Sequence, residues 1–575
     1  MNDFNFKIAG EAGYGIASAG LIFAKTALRS GYSVFDFNEY PSLIRGGHNV
    51  YGARVAEEEV YSPSFGTDLL IALNQKAVER HTKELSPGAW VILNSDKATA
   101  PAPDFSPGIN ILPIPLIKLA QENGAPEVMM NNVALGAAIF LLGGDFKILE
   151  SAVHDVFSSA KPEIIDLNIK VARAGFDFAQ KNFKKRKILF NLKKKRAGKP
   201  LLLTGNDALC LGLIKAGCKF FAAYPMTPIN SMIAYWAAKA RELNLVYYQP
   251  EDEIAGINSA LGAAHAGLRA CVATSGGGFS LMVEAYGLAG MTETPLVIIE
   301  GQRSGPSSGL PTWTGQGDLR FVLGAGQDDF PRVVLAPGDP EECFWQAIEA
   351  FNWAEKYQLP VVILVDKYLS ESRQTISSLD ETRVKIDRGL LFSSTAQSED
   401  YRRYRLTENG ISPRAWAGQA DLTFFTSSYE HDESGWAEEG IENRKAMMEK
   451  RMRKLETLKE EMPPPSIYGP SEAPLGLISW GSNKGAIREA QKILRVQGTE
   501  TKFLHLNFLN PFPVEAVADF FRRSSKIWLV EQNITGQLAE LIRARTGLEI
   551  ENRILKYDGR PFLPEEIAVK IKEIT

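Results

Sequence analysis

The chain is 575 residues long, with 23% charged and 45% hydrophobic residues and a formal net charge of −4 from 64 basic and 68 acidic side chains. This composition excludes a disordered chain, and the near-balance of charge excludes a chain-wide nucleic-acid or membrane-surface partner. At about 150 residues per domain the length predicts roughly three to five domains. Cys210, Cys218, Cys271 and Cys343 show no CxxC spacing, and the histidines form no HxH or HExxH pattern. Neither a disulfide framework nor a self-contained metal or iron–sulfur site is therefore expected, and the cysteines read as small buried apolar residues. Met1–Lys7 lacks the architecture of a signal peptide, and no apolar run reaches about 18 residues, which predicts a soluble, cytoplasmic protein.

In chain order, Phe6–Gly10 reads as a buried strand and Ile16–Ser30 as a helix. Further strands are predicted at Tyr32–Phe37, Asp68–Leu73 and Ala89–Leu93. Strands alternating with helices predict a parallel α/β domain over 1–183. Lys184 to Arg196 holds eight Lys or Arg and no acid, and 184–199 reads as a basic linker. A second α/β domain spans 200–385. It opens on the strand-like run Pro200–Thr204, with further strands predicted at Phe220–Ala223, Leu245–Gln249, Arg269–Thr274, Leu296–Glu300, Arg332–Leu335 and Pro360–Val365. Residues 386–470 break the rhythm as a polar insertion that ends in a charged helix, Ile441–Glu461, and the stop signal Pro463–Pro465. A third block, 471–575, alternates again: strand Leu475–Trp480, helix Lys484–Val496, strand Lys502–Phe508, helix Val514–Phe521, strand Lys526–Glu531. The fold class predicted is α/β, three domains with mostly parallel sheets.

Five clusters at predicted strand ends could carry chemistry. Gly10, Gly13 and Gly15 stand between a strand and a helix, where backbone N–H groups can approach a phosphate; the G-x-x-G-x-G spacing is not the dinucleotide fingerprint, and a plain tight turn fits equally. The segment Tyr40–His48 adds Arg45, two glycines and an imidazole, suited to a phosphorylated ligand or again to a turn. Tyr224-Pro225-Met226-Thr227-Pro228 would present the Thr227 hydroxyl from a proline-stiffened loop. Glu251, Asp252 and Glu253 open an Ala/Gly-rich helix, either as dipole partners or with one carboxylate holding a proton toward a heterocycle nitrogen. Thr274–Ser280 is glycine-rich, and Gln302–Thr312 places Arg303, a fork-shaped donor for carboxylate or phosphate, among hydroxyls.

Taken in order, YPMTP, EDEIAGINSALGAAHAG, ATSGGGFSLM and QRSGPSSGLPT resemble the alpha subunit of the 2-oxoacid:ferredoxin oxidoreductases, which are thiamine diphosphate enzymes. GEAGYG, EYPSLIRGGH and NNVALGAAIFLLG resemble that family's gamma subunit, here fused ahead of alpha. YEHDESG, WGSNKGA, NPFPVEAV and VEQNITGQL extend the resemblance to nearly the whole chain. The fused arrangement is most similar to the 2-oxoglutarate member; the alternative is a member that takes pyruvate or a broad range of 2-oxoacids.

The resemblance implies that 200–385 is the pyrimidine-binding domain. Glu253 would hydrogen-bond the aminopyrimidine ring and favour its imino tautomer, beside Phe279 in the cofactor site. Thr227 and Arg303 would bind the carboxylate end of a 2-oxoacid, with Thr312 and Tyr224 nearby. Gly10, Gly13, Gly15 and Arg45 would contact coenzyme A, and 471–575 would be a transketolase C-terminal-like domain. The chain has no Gly-Asp-Gly magnesium motif and no cluster cysteines. The resemblance therefore implies a beta subunit that brings Mg²⁺, the diphosphate site and an iron–sulfur cluster, an (alpha-beta)₂ heterotetramer, and ferredoxin as electron acceptor. Trp313 stands where many relatives have a basic residue, and Gly277 where proline is common; the first departure implies that the distal carboxylate of 2-oxoglutarate would need a cation from elsewhere, such as the beta subunit.

Overall fold

The computed structural model describes residues 3–43, 46–97, 105–184, 188, 190–193, 198, 200–393, 401–419 and 422–574. Arg45 and most of the predicted basic linker lie outside the described residues. The chain forms two compact units: Met1–Leu203 with Glu371–Leu379 and Leu563–Glu566, and Thr204–Ser370 with Asp380–Phe562 and Ile567–Thr575.

The first unit holds an eight-stranded sheet, in the order Asn110–Ile114, Leu85–Asn94, Thr67–Ala72, Asp3–Glu11, His48–Ala56, Ser33–Glu39, Arg373–Ile376 and Leu201–Thr204. The strands from Asn110–Ile114 to Asp3–Glu11 run parallel, as their apolar runs and intervening helices require. On the other side of Asp3–Glu11, the pairings through His48–Ala56, Ser33–Glu39 and Arg373–Ile376 are antiparallel. The segment between Glu39 and His48 is too short for a crossover helix, so the chain turns back as a hairpin. The sheet is thus mixed rather than purely parallel. Gly52 makes the hairpin possible, because a Cβ there would lie 2.4 Å from the Phe37 ring.

Helix Met130–Leu141 is buried on every face but Phe140, which is why its sequence shows little amphipathic period. It crosses helix Pro162–Phe183 at two glycines: a Cβ on Gly136 would lie 1.8 Å from the Ala172 carbonyl oxygen, and one on Gly175 1.9 Å from that of Val133. The backbones are in direct contact there, and no side chain fits between them.

The second unit contains a seven-stranded sheet, ordered Phe508–Asn510, Val333–Leu335, Pro360–Asp366, Leu296–Gln302, Arg269–Thr274, Cys218–Ala222 and Val246–Tyr248. It also contains a five-stranded sheet, ordered Ser466–Tyr468, Thr501–Leu506, Leu475–Trp480, Lys526–Glu531 and Asn552–Leu555. In each sheet every pairing is parallel except that of one terminal strand. One apolar core runs from Val272 and Ile298 through Leu319 to Ile478, Trp480 and Leu529. The four cysteines are free and buried.

The charged helix falls at Ile441–Glu461 as predicted. Its inward face carries Lys450, Lys454 and Arg451 as well as Met447 and Leu458. Lys450 Nζ lies 2.6 and 2.8 Å from the two carboxylate oxygens of the fully buried Glu293, and Lys454 also binds that carboxylate. Glu430 receives both terminal nitrogens of Arg451, at 2.9 and 2.7 Å, and one from Arg444 at 2.5 Å. The helix is therefore seated by matched buried charges, which the insertion and the Glu293 turn must supply together.

Candidate active site

Four of the five clusters meet at one edge of the seven-stranded sheet. The strands Leu296–Gln302, Arg269–Thr274, Cys218–Ala222 and Val246–Tyr248 are consecutive and parallel. Parallel pairing puts all four carboxyl ends on the same side, where ligands bind in open α/β sheets. They lead into Arg303–Thr312, Ser275–Ser280, Tyr224–Pro228 and Glu251–Gly256.

Glu253 is the first residue of helix Glu253–His265, whose N-cap Asp252 accepts from the Ala255 N–H at 2.8 Å. The cap fixes the first turn, and Glu253 points inward, 4% exposed. Its Oε1 is buried with no hydrogen-bond partner. A Cβ on Gly278 would lie 2.7 Å from that oxygen and 2.1 Å from the Thr274 hydroxyl, whereas nothing lies within 4 Å of one on Gly277. The carboxylate thus lies against Gly278, in a turn whose neighbouring Gly277 faces open space. A buried acceptor left in this way can take a donor from a ligand or from water, and among ligand groups a protonated heterocycle nitrogen fits. Phe279 is fully buried in the core, edge-on to Tyr286 and Phe321 with centroids 5.5 and 5.4 Å apart; its ring anchors the turn from below.

Across the edge, the Arg303 guanidinium donates to the Thr227 carbonyl at 3.1 Å. The loop that carries Thr227 is held by Asn206, whose amide donates to the Pro228 carbonyl at 2.9 Å and to Ser231 Oγ at 2.8 Å. Gly301 lets Pro228 lie flat on the strand, because a Cβ there would come 2.9 Å from the proline ring. The Ser304–Thr314 loop closes on itself: the Ser304 N–H donates to the Trp313 carbonyl at 3.1 Å and its hydroxyl to the Thr314 carbonyl at 2.6 Å. Thr312 is buried with an unpartnered hydroxyl, and Tyr224 is exposed on the rim. The sheet edge thus carries a cation with hydroxyls on one side and a buried unpartnered acid on the other, a layout that takes a carboxylate beside a heterocycle.

Sequence reasoning missed two acids here. Glu300 is fully buried, and burial, then the neighbouring Asp318 carboxylate, push its pKa well above the ordinary range. Burial likewise raises Asp318. A lone acid within the otherwise uncharged strand Leu296–Gln302 was the signal for the first; nothing local marks the second.

In the first unit, Gly10 is buried within strand Asp3–Glu11, and Gly13 and Gly15 take φ of 94° and 65° in the turn before helix Ile16–Arg29. Asn131, from the NNVALG motif, donates to the carbonyls of Tyr14 at 3.1 Å and Gly15 at 3.0 Å, and a Cβ on Gly15 would strike that amide at 2.3 Å. Gly13 faces open space. Lys97 donates to the Tyr14 hydroxyl at 2.8 Å, a cation that sequence reasoning did not connect with this turn. His48 begins a strand and pairs with Glu11 in register. Its Nε2 is 2.8 Å from that of His81, and burial followed by His81 holds its pKa down to about 4. Two glycine-rich motifs distant in sequence therefore share one end of this sheet.

Among the described residues no group of three or more His, Cys, Asp or Glu is placed to hold a metal, and no helix is long and apolar enough to cross a membrane.

With this geometry in place, comparison with known proteins is informative. Residues 211–450 match the family described as pyruvate flavodoxin/ferredoxin oxidoreductase, thiamine diphosphate-binding. Residues 5–178 match pyruvate ferredoxin/flavodoxin oxidoreductase, and 473–567 match pyruvate:ferredoxin oxidoreductase core domain II. The chain is 35% identical to the alpha subunit of 2-oxoacid:ferredoxin oxidoreductase 2 of Aeropyrum pernix, over 100% of this chain and 98% of that one. It is 33% identical to the 2-oxoglutarate synthase subunit KorA of Methanothermobacter thermautotrophicus, over 64% of this chain and 96% of that one. Its fold matches the solved 2-oxoglutarate:ferredoxin oxidoreductase of Magnetococcus marinus, with 2-oxoglutarate, coenzyme A and succinyl-CoA bound, at a TM-score of 0.93 and 33% identity, covering 100% and 99% of the two chains. The chain belongs to the 2-oxoacid:ferredoxin oxidoreductases, an alpha subunit of that enzyme family with a thiamine diphosphate-binding domain.

Proposed function

We propose that this chain is the alpha subunit, with a gamma-type domain fused at its N-terminal side, of a 2-oxoglutarate:ferredoxin oxidoreductase. The reaction converts 2-oxoglutarate, coenzyme A and oxidised ferredoxin to succinyl-CoA, CO₂ and reduced ferredoxin, and runs in reverse. The observation that carries this reading is the end-to-end likeness to the Magnetococcus marinus enzyme. A beta subunit would complete the site with Mg²⁺, the diphosphate contacts and the iron–sulfur cluster, in an (alpha-beta)₂ heterotetramer.

Thiamine diphosphate, when bound, supplies a nucleophilic carbon and an electron sink. Glu253 would take its aminopyrimidine through the unpartnered Oε1 and hold the proton that sets the ring's tautomer. Arg303 and the Thr227 hydroxyl would bind the 2-oxoacid carboxylate, with Thr312 and Tyr224 completing that wall. Gly10, Gly13 and Gly15 would present backbone N–H groups to coenzyme A, with Arg45. The second carboxylate of 2-oxoglutarate would need a cation that the loop does not carry at Trp313; Arg560, whose guanidinium carbon stands 3.6 Å from the Trp313 ring centroid, would be the candidate within this chain.

Two measurements test the reading. The purified chain should bring with it a shorter, cysteine-bearing polypeptide with bound iron, and the complex should turn over 2-oxoglutarate with a higher kcat/KM than pyruvate. A single chain fully active alone, or a preference for pyruvate, overturns it.

A further inference from the structure

Two motifs of the third block, WGSNKGA (Trp480–Ala486) and VEQNITGQL (Val530–Leu538), take no part in the proposed chemistry. Both fold onto the chain that leaves the loop of Arg303 and Thr312. Between strand Leu296–Gln302 and helix Leu319–Gly324 that chain forms no helix or strand, so side-chain and backbone contacts must set its place.

Gln316 is where they meet. It is fully buried, and each hydrogen bond it makes among the described residues goes to the third block. Its amide nitrogen donates to the Trp480 carbonyl at 3.0 Å, and its Oε1 accepts from Asn483 Nδ2 at 2.8 Å and from the Gln532 N–H at 3.0 Å. Its backbone N–H donates to the Gln532 carbonyl at 2.8 Å, and its carbonyl accepts from Asn533 Nδ2 at 2.9 Å. Gln532 and Asn483 are joined in turn, Nε2 to Oδ1, at 2.7 Å.

Further contacts extend this clamp on both sides. Toward the loop, the Thr314 N–H donates to the Gly559 carbonyl at 3.0 Å, and a Cβ on Gly559 would lie 3.0 Å from that of Trp313. That approach is what sets Arg560 over the Trp313 ring. Away from the loop, Gln537 donates to the Gly317 carbonyl at 2.7 Å and accepts from the Arg320 N–H at 2.9 Å. A buried amide has a donor end and an acceptor end, so these contacts fit in one register only; a slip of one residue would leave several of them unpaired.

We infer that the amide clamp centred on Gln316 fixes the substrate loop, with Asn483, Gln532, Asn533 and Gln537 of the third block as positioning residues for the 2-oxoacid carboxylate. This rests on the reading of Arg303 and its loop as the carboxylate wall. Strand Leu296–Gln302 holds one end of the loop and the third block holds the other. The third block therefore takes part in substrate binding without touching the substrate.

The test uses the full chain with whatever partner it carries. Gln316→Met keeps the approximate length of the side chain and removes the amide. Gln537→Met removes only the two outer bonds and serves if the first variant does not fold. Hydrogen exchange in peptides covering 304–316 should quicken by about tenfold in Gln316→Met, the scale of one lost hydrogen bond, and by less in Gln537→Met. The KM for the preferred 2-oxoacid should rise in parallel, while the KM for coenzyme A stays unchanged. Exchange unchanged in the variants that fold overturns the proposal. So does quickened exchange without a rise in the 2-oxoacid KM, or an equal rise for coenzyme A, which would mean general loosening. Arg303→Lys in the same assay separates the two readings: if it leaves KM unchanged the carboxylate wall is wrong, and if it alone raises KM the clamp is. The exchange arm needs no substrate, so it judges the clamp whichever 2-oxoacid is preferred.

Discussion

The Arg303 guanidinium and the Thr227 carbonyl, 76 positions apart in sequence, meet at 3.1 Å, so the cation and the hydroxyl proposed for the 2-oxoacid carboxylate form one rigid wall. Replacing Arg303 by Lys keeps the charge but loses the fork that spans the carbonyl and a ligand at once. The KM for 2-oxoglutarate is expected to rise by roughly 10- to 100-fold, the scale of one charge-assisted bidentate contact of about 1.5–3 kcal/mol. Steady-state kinetics on the purified complex measure this, and an unchanged KM would remove Arg303 from substrate binding.

Glu253→Ala removes the one acid whose buried oxygen is left unpartnered at the open turn. Loss of a positioned proton-transfer group is expected to cost about 10²- to 10⁴-fold in thiamine-dependent turnover, with circular dichroism and assembly unchanged. Retained turnover would show that another group holds the ring.

Arg560 and Trp313 stack at 3.6 Å. Arg560→Ala should weaken 2-oxoglutarate, raising its KM about tenfold as one partly exposed ion contact would, while leaving pyruvate, which has no second carboxylate, unaffected. Equal loss on both substrates would assign Arg560 to the loop's fold instead.

Burial alone would raise the Glu430 carboxyl, but hydrogen bonds from Arg451 and Arg444 hold it down to about 2. A carboxyl depressed in the folded state contributes stability that is present above its unfolded value, about 4.3, and is lost as pH falls through the folded one. Glu430→Gln should therefore flatten the loss of stability between roughly pH 4 and 2. Denaturant melts across that window decide it.

Gly136→Val drives a branched side chain into the Ala172 carbonyl, 1.8 Å from where its Cβ would stand. The first unit should lose at least about 1–3 kcal/mol, the usual cost of overpacking. Thermal unfolding of the full chain should show that loss, and an unchanged melting curve would mean that the two helices can part without cost.

Much of this was legible in the chain. Arg269–Thr274, Leu475–Trp480 and Lys526–Glu531 fall where they were predicted, because a fully buried parallel strand is a short apolar run bounded by helices and turns. His48–Ala56 was missed because its His, Asn, Tyr and Gly residues interrupt any apolar run, and its pairing with Asp3–Glu11 and Ser33–Glu39 is read only in space. Arg373–Ile376 was missed for a related reason: it joins a sheet between Ser33–Glu39 and Leu201–Thr204, both far earlier in the chain. Thr227, Glu253 and Arg303 could be picked out singly, since each stands at the end of a predicted strand. That they share an edge depends on strand order, which local pattern does not encode. Asp318 is an ordinary acid until folding sets it against Gly276.

The four loops of the active edge grow from strands locked side by side, so the distances across the site are counted in interstrand steps of about 4.8 Å. The sheet is the ruler, and the loops only mark it. A residue added within the Ser304–Thr312 loop alters what one mark says; a residue added inside Arg269–Thr274 moves the mark itself and turns the Gly276–Gly278 turn away from Glu253. Variation among related chains should therefore collect in loop length and composition while the four strands keep their lengths, and an engineer seeking a different 2-oxoacid should rewrite the loops and leave the ruler alone.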